Sequence, residues 1–356
     1  MNSSVPIARR SKSLSSSLGF GEKLFSSGSE RRFATAVEDG LEKVEVGLLA
    51  DMGFSDRLAD VTTRYLLEAG GKRVRPTLTL LTAQLGNGVT DDVLTGARAI
   101  ELIHLASLYH DDVMDDAVMR RGVPSAQTVW GNSVAILTGD LLFARASQLV
   151  AGLGEEAIRL QADTFARLCL GQLHETVGPD IGEDPIDHYI QVLADKTGSL
   201  IATAAEIGVM FSEAPAELRP SVVEFGEKIG VAFQLVDDVI DLSPTAEITG
   251  KLAGTDLRAG VVTLPLLYLR RLATSDADAA ALLARIELDI DPENPASDAE
   301  FAEAVEELRR HEVTRQTIEE AHRWSREAVA ALDPLPEGPV KKALTRFAET
   351  VVERSN

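Results

Sequence analysis

From about residue 36 onward, apolar positions recur every three or four residues, the spacing that lines one face of an α-helix. Long runs of this kind lie near 36–50, 55–69, 74–86, 90–114, 133–152, 154–177, 186–210 and 216–239. Shorter ones follow near 263–271, 277–287, 297–332 and 338–353. The breaks fall on clusters of Gly, Pro and Asp, such as GPDIGEDP (178–185), SEAPAELRPS (212–221) and DIDPENPASD (289–298). No alternating run of β-branched residues bounded by turn signals interrupts them. The pattern predicts an all-α chain, with one large helical bundle over 36–356.

Residues 1–35 stand apart. They hold ten Ser, six Lys or Arg and two Glu with no helical period, which predicts a flexible basic arm. A Ser-rich, acid-poor start also resembles an organelle transit peptide, but no amphipathic helix is visible in it. No apolar core marks a secretory signal, and no apolar stretch is expected to reach the length of a membrane span. The one cysteine, Cys169, excludes an internal disulfide and predicts a reducing, cytoplasmic location. Set in FARLCLGQL, it is expected to be a buried, inert thiol.

Charge changes the picture further. The net charge of −21 excludes nucleic acid as a partner, because a phosphate backbone needs a basic surface. Two acidic segments share one spelling, DDVMD at 111–115 and DDVID at 237–241, and each ends an apolar helix-patterned run. On a helix, positions i and i+4 share a face, so Asp111 and Asp115 point the same way, as do Asp237 and Asp241. Like charges so placed repel, and a fold that uses the arrangement twice needs a compensating cation. Mg²⁺ suits the purpose: it takes hard oxygens from one or two carboxylates and completes its octahedron with water and substrate phosphate. Two such clusters suggest a cavity that holds a diphosphate through several magnesium ions.

An anionic substrate also needs cations, and the basic residues gather in four places. In GGKRVRP (70–76) the Gly pair ends one helix and Pro76 suits the first turn of the next, so Lys72, Arg73 and Arg75 surround a helix start. The others are Arg120-Arg121-Gly122, Lys196-Thr197-Gly198, and Gly250-Lys251 followed by Asp256-Leu257-Arg258. Any one of these alone is an ordinary solvated loop edge. In this order around two Asp segments, they support one another.

Taken together, GGKRVRP, HDDVMDDAVMRRG (110–122), KTG (196–198), FQLVDDVID (233–241) and GKLAGTDLRAGVVTLP (250–265) resemble the motifs of the trans-prenyltransferase, or polyprenyl diphosphate synthase, family. The likeness runs from about residue 40 to the C-terminus. It implies an isoprenoid-synthase-type bundle around a central apolar cavity, acting as a homodimer. The reaction implied is head-to-tail addition of isopentenyl diphosphate to an allylic diphosphate primer. By this resemblance Asp111 and Asp115 are ligands for two Mg²⁺ ions, with Asp112 in support, and Asp237 is the ligand of a third, supported by Asp238 and Asp241. Arg120, Lys196 (with Thr197) and Lys251 complete the cage around the leaving diphosphate, and Gln234 orders it. Lys72, Arg75, His104 and Arg121 match the family's positions for isopentenyl diphosphate, whereas Arg73 is expected to face solvent. No side chain stands out as the base that removes the final proton, and the released diphosphate is the candidate acceptor. One departure is that Val261 and Val262 stand where family members often carry a cation, and Arg258 is the candidate replacement.

Product length is then a steric matter. The growing tail is expected to run down the helix that carries Asp111. Ala106 and Ser107 lie one turn deeper, and Ile103 and Ile100 lie below them. In the family, an aromatic residue at that level closes the pocket on short products. Here both residues are small, which points to a long-chain product, of the kind that serves quinone side chains, over geranylgeranyl diphosphate. A terpene cyclase is disfavoured by the Lys72/Arg75 cluster and the second Asp segment, and a regulatory subunit by the retention of all six Asp.

Overall fold

The computed structural model describes residues 27–243, 253–290 and 298–353. Its helices, in chain order, are α1 (Gly28–Asp51), α2 (Arg57–Glu68), α3 (Val74–Ala83), α4 (Asp91–Met114), α5 (Ala126–Trp130), α6 (Asn132–Ala151), α7 (Glu155–Val177), α8 (Pro185–Leu193), α9 (Ser199–Phe211), α10 (Arg219–Asp241), α11 (Thr255–Arg258), α12 (Leu264–Ala273), α13 (Ala277–Ile290), α14 (Asp298–Arg310), α15 (Glu312–Ala331) and α16 (Pro339–Glu353). The protein is all-α, and among the described residues the strands form one hairpin of two-residue strands, β1 (Met119–Arg120) and β2 (Val123–Pro124).

The periodicity locates most helices to within a few residues and misses three features. Helix α1 begins at Gly28, inside the stretch assigned to the arm. Ser27 and Glu30 form a reciprocal capping box there, and the Ser27 amide holds the Glu30 carboxyl down at about 2. The 186–210 run is broken by a π-helical segment at Ala194–Gly198, and the 297–332 run by a bend at His311. Helix α6 corrects the membrane expectation: by length and composition alone it is apolar enough to cross one, and 33% of that window is buried.

By internal contacts the chain forms two compact units. One takes in Met1–Ala166, Leu200–Gly226 and Ala331–Phe347, and the other Arg167–Ser199, Glu227–Ala330 and Ala348–Asn356. In the first, α4 is the central element and packs against α1, α3 and α6. At Gly139 of α6 a Cβ would fall 2.3 Å from the His110 ring and 3.1 Å from the Ala106 carbonyl, so a larger residue would force the His110 ring aside and crowd the α4 backbone. Buried hydroxyls join α3 to α9: Thr79 donates to the Ala204 carbonyl at 2.7 Å and Thr82 to that of Ala205 at 2.8 Å. The second unit has its own core of Leu242, Leu257, Leu266, Leu282, Phe301 and Leu308, with their neighbours on α12 to α14. Cys169 belongs to this unit and is exposed, contrary to expectation.

Candidate active site

In the first unit the GGKRVRP segment turns between α2 and α3. Gly70 has φ 104°, which only glycine adopts readily, and Arg73 is left-handed (φ 52°, ψ 40°) at the cap of α3. Arg73 does not face solvent. It is 7% exposed, its guanidinium meets Glu45 of α1 and Glu101 of α4, and it donates to the Leu67 and Gly70 carbonyls at 3.4 Å. A buried arginine needs such partners, and they come from segments too distant in the sequence to be seen there. Lys72 beside it is exposed.

Arg75 is the complement of Arg73. Its Nε is fully enclosed without a hydrogen-bond partner, and burial lowers its pKa to about 10 despite the field of Glu101. It therefore keeps its charge at neutral pH. Arg121 comes from the hairpin, where Arg121 (φ 53°) and Gly122 (φ 77°) form the two-residue turn with both φ positive, as type I′ requires. Its Nη1 donates to the carbonyls of Leu66, at 2.7 Å, and Gly70. His104 lies one turn past Glu101 on α4. Burial, then Arg75 and Arg121, hold its pKa well below 6.5, so it is a neutral imidazole. Arg75, Arg121 and His104, predicted with Lys72 as one subsite, lie within reach of one another's charge in one compact unit, and Lys72 belongs to the same unit at the α2–α3 turn.

The His104 shift has a measurable consequence. The unfolded chain takes up a proton near pH 6.5 that the folded chain refuses, so stability is unaffected above that pH and declines as pH falls below it. Urea unfolding between about pH 7.5 and 5.5 should show a shallower decline for His104→Asn than for the parent chain.

Helix α4 ends with the first Asp segment. Asp111 occupies the last turn and Asp115 is the C-cap, its amide donating to the Asp111 carbonyl at 2.8 Å. Asp115 is exposed, and Asp116 follows in the left-handed region at φ 49°. Asp111, Asp115 and Asp116 follow one another along the last turn and cap of a long helix, whose dipole there disfavours anions. Carboxylate oxygens are the donor type a hard divalent cation takes, with water and substrate completing its shell. Asp112 differs, since it is fully buried and paired with Arg120 at 2.6 Å, leaving Oδ2 enclosed without a partner. Burial pushes its carboxyl up and Arg120 pulls it back. Gln127 of α5, which sequence reasoning missed, donates to the Ala117 carbonyl at 3.0 Å and to that of Asp112, closing the loop behind the segment.

Below this segment α4 borders a cavity of ≈ 20 Å³, lined by Gly96, Ala99, Ile100 and Ile103 and by Ile207 and Phe211 of α9, among others. Ile103 reaches it. Ala106 is buried above it, and Ser107 hydrogen-bonds the His104 carbonyl at 2.9 Å instead of lining it. Tyr109 is turned away to α2, where its hydroxyl donates to the Thr62 carbonyl and accepts from the Leu66 amide at 3.3 Å.

In the second unit α10 carries Asp237, Asp238 and Asp241. Asp238 is buried, accepts from Tyr189 at 2.6 Å and from the Leu264 amide at 3.4 Å, and is pushed up to about 7 by burial. It therefore secures α10 to α8 and α12. Asp241 accepts from the Asp256 amide at 3.0 Å. The π-helical turn presents Lys196 to Glu175 and brings Thr197 to 3.4 Å from Gln234, so two predicted ligands meet. Arg258 lies over the Phe301 ring at 4.2 Å. Lys251 falls outside the described residues. Among the described residues no three His, Cys, Asp or Glu side chains converge as a ready-made metal cluster.

Residues 56–308 match the polyprenyl synthetase family. The chain is 43% identical over 323 residues to the nonaprenyl diphosphate synthase of Mycobacterium tuberculosis (strain ATCC 25618 / H37Rv), covering 90% of this chain and 94% of that protein. Its fold matches a polyprenyl synthase from Caulobacter crescentus CB15, complexed with calcium and isoprenyl diphosphate, at a TM-score of 0.82 and 29% identity over 92% and 98% of the two chains. It also matches a geranylgeranyl pyrophosphate synthase from Corynebacterium glutamicum, complexed with calcium and isoprenyl diphosphate, at a TM-score of 0.77 and 38% identity over 91% and 97%. The chain belongs to the polyprenyl synthetase family and is a prenyltransferase.

Proposed function

We propose that this chain is an all-trans polyprenyl diphosphate synthase that extends an allylic diphosphate primer with isopentenyl diphosphate to a long-chain product for a quinone side chain. The observation that carries the length is the α4 face below Asp111. A small buried Ala106 leads to Ile103 and then to the cavity, whose lining aromatic, Phe211, packs near Gly96 and Ala99 toward the start of α4. Gly96 lies fifteen residues, or roughly 22 Å of helix rise, from Asp111. The nonaprenyl relative supports the same reading.

In this reading Arg75, Lys72, Arg121 and neutral His104 bind the diphosphate of isopentenyl diphosphate, the guanidiniums fixing its orientation through paired N–H donors. Asp111 and Asp115 on α4, and Asp237 and Asp241 on α10, would each serve as ligands for Mg²⁺, three ions by the family resemblance, and the metal would supply electrostatic stabilisation of the charge on the leaving diphosphate. Arg120, anchored by Asp112, would bind the leaving diphosphate; Lys196 and Lys251 are proposed for the same role, and Thr197 and Gln234, which meet within their own unit, would order it. Ile100, Ile103 and Ile207 would give the growing tail an apolar wall. The departing diphosphate accepts the final proton.

Incubation with Mg²⁺, isopentenyl diphosphate and an allylic primer, followed by chromatography of the dephosphorylated product, tests the reading. Products longer than twenty carbons are expected, and a stop at fifteen or twenty overturns the long-chain assignment. Ala106→Phe should shorten the product while turnover continues, and an unchanged length removes Ala106 from the argument.

A homodimer in the cytoplasm completes the proposal. Ile136 and Leu137 on α6 are 41% and 60% exposed, apolar surface of the kind a second copy covers. Light scattering should give twice the chain mass for the parent protein and a larger monomer fraction for Leu137→Glu. A monomeric parent protein overturns the dimer.

A further inference from the structure

We propose that Glu101 is a positioning residue for the anion site of the first unit, where its carboxylate, with Glu45, locks Arg73 and so orients Lys72 and Arg75 around isopentenyl diphosphate; this rests on the ligand assigned above. Glu101 is 2% exposed on the otherwise apolar core face of α4, where a carboxylate is costly unless it answers a cation. Its Oε1 lies 3.4 Å from Arg73 Nη1, and its Oε2 is enclosed with no hydrogen-bond partner.

Arg73 is held at both ends. Glu45 grips the guanidinium from α1, Glu101 from α4, and the Leu67 and Gly70 carbonyls from the end of α2. Its own carbonyl accepts from the Thr77 amide at 3.0 Å and the Thr77 hydroxyl at 2.8 Å. These contacts keep it left-handed, a conformation that a residue with a Cβ does not favour by itself. Lys72 precedes that bend and Arg75 follows it by two residues, so the backbone at Arg73 sets the direction of both. Glu101 also acts beyond contact, its charge favouring the protonated forms of Arg75 and Arg121 against their burial. The site can then gather guanidiniums that would otherwise repel, while the enclosed Nε of Arg75 is not consumed by a carboxylate.

Steady-state kinetics of the full chain with Mg²⁺ and both substrates tests this. Glu101→Gln should raise KM for isopentenyl diphosphate roughly tenfold, with kcat and the primer KM within about twofold. Glu101→Asp should recover part of the loss. Glu45→Gln, at a half-exposed position that accepts an amide, should shift the same KM in the same direction by less, and it decides the matter if Glu101→Gln fails to fold. Equal shifts in both KM values, or lost thermal stability with both KM values intact, overturn the positioning role while leaving the proposed function standing. A parent chain that never consumes isopentenyl diphosphate overturns the proposed function, and the inference with it.

Discussion

Asp115→Ala is expected to lower kcat by about three orders of magnitude while leaving the fold as stable as before or slightly more so. The two effects have separate causes. Asp115 is exposed at the C-cap of α4, next to Asp111 and Asp116 and at the negative end of the helix dipole. Removing a carboxylate there relieves repulsion worth a few tenths of a kcal/mol. The same carboxylate is a proposed Mg²⁺ ligand, and its loss weakens the stabilisation of charge on the leaving diphosphate. KM for isopentenyl diphosphate, bound through Lys72, Arg75 and Arg121, should change little. Thermal unfolding and single-turnover rates of the same preparation check both halves. Turnover within threefold of the parent chain would mean that the first Asp segment does not hold the metal.

What the sequence reveals about this fold depends on the range of the interaction. Helix α4 is legible almost to the residue because its signals are local: a Thr90 cap, an apolar face of regular period and an acidic end. The start of α1 is missed because composition reads a Ser-rich stretch as an arm, whereas one Ser–Glu capping box is enough to begin a helix. The π-helical turn at Ala194–Gly198 escapes because an added residue within one turn hardly disturbs the apolar period. In the site, the residue types are legible and their partners are not. Asp112 and Asp238 share the spelling of their neighbours but are buried on Arg120 and Tyr189, pairings that no spacing rule predicts. Glu101 could have been flagged as a lone carboxylate in AIELIHLA, where an apolar surround calls for a cation. Which cation depends on the hairpin and on the α2–α3 turn folding back on α4, and that is tertiary information.

Arg75→Ala and Arg73→Ala should differ sharply, although the two side chains are two residues apart. Arg75→Ala is expected to raise KM for isopentenyl diphosphate by about two orders of magnitude, the loss of a charge-assisted contact to a phosphate, with no loss of stability. The reason lies in the free protein: the Arg75 Nε is enclosed without a partner and its pKa falls to about 10, so placing the charge there opposes folding. Arg73→Ala removes a buried cation that answers Glu101 and Glu45, and leaving the Glu101 carboxylate without its partner should cost about 3–5 kcal/mol of folding stability. Denaturant unfolding of the two variants, beside titrations of isopentenyl diphosphate and primer, separates the roles. If Arg75→Ala unfolds as readily as Arg73→Ala, Arg75 is a structural arginine and the anion site loses its central donor. If it folds normally and KM for isopentenyl diphosphate is unchanged, the diphosphate binds elsewhere. Only normal folding together with a selective rise in that KM agrees with a guanidinium whose enclosed Nε the fold reserves for the substrate.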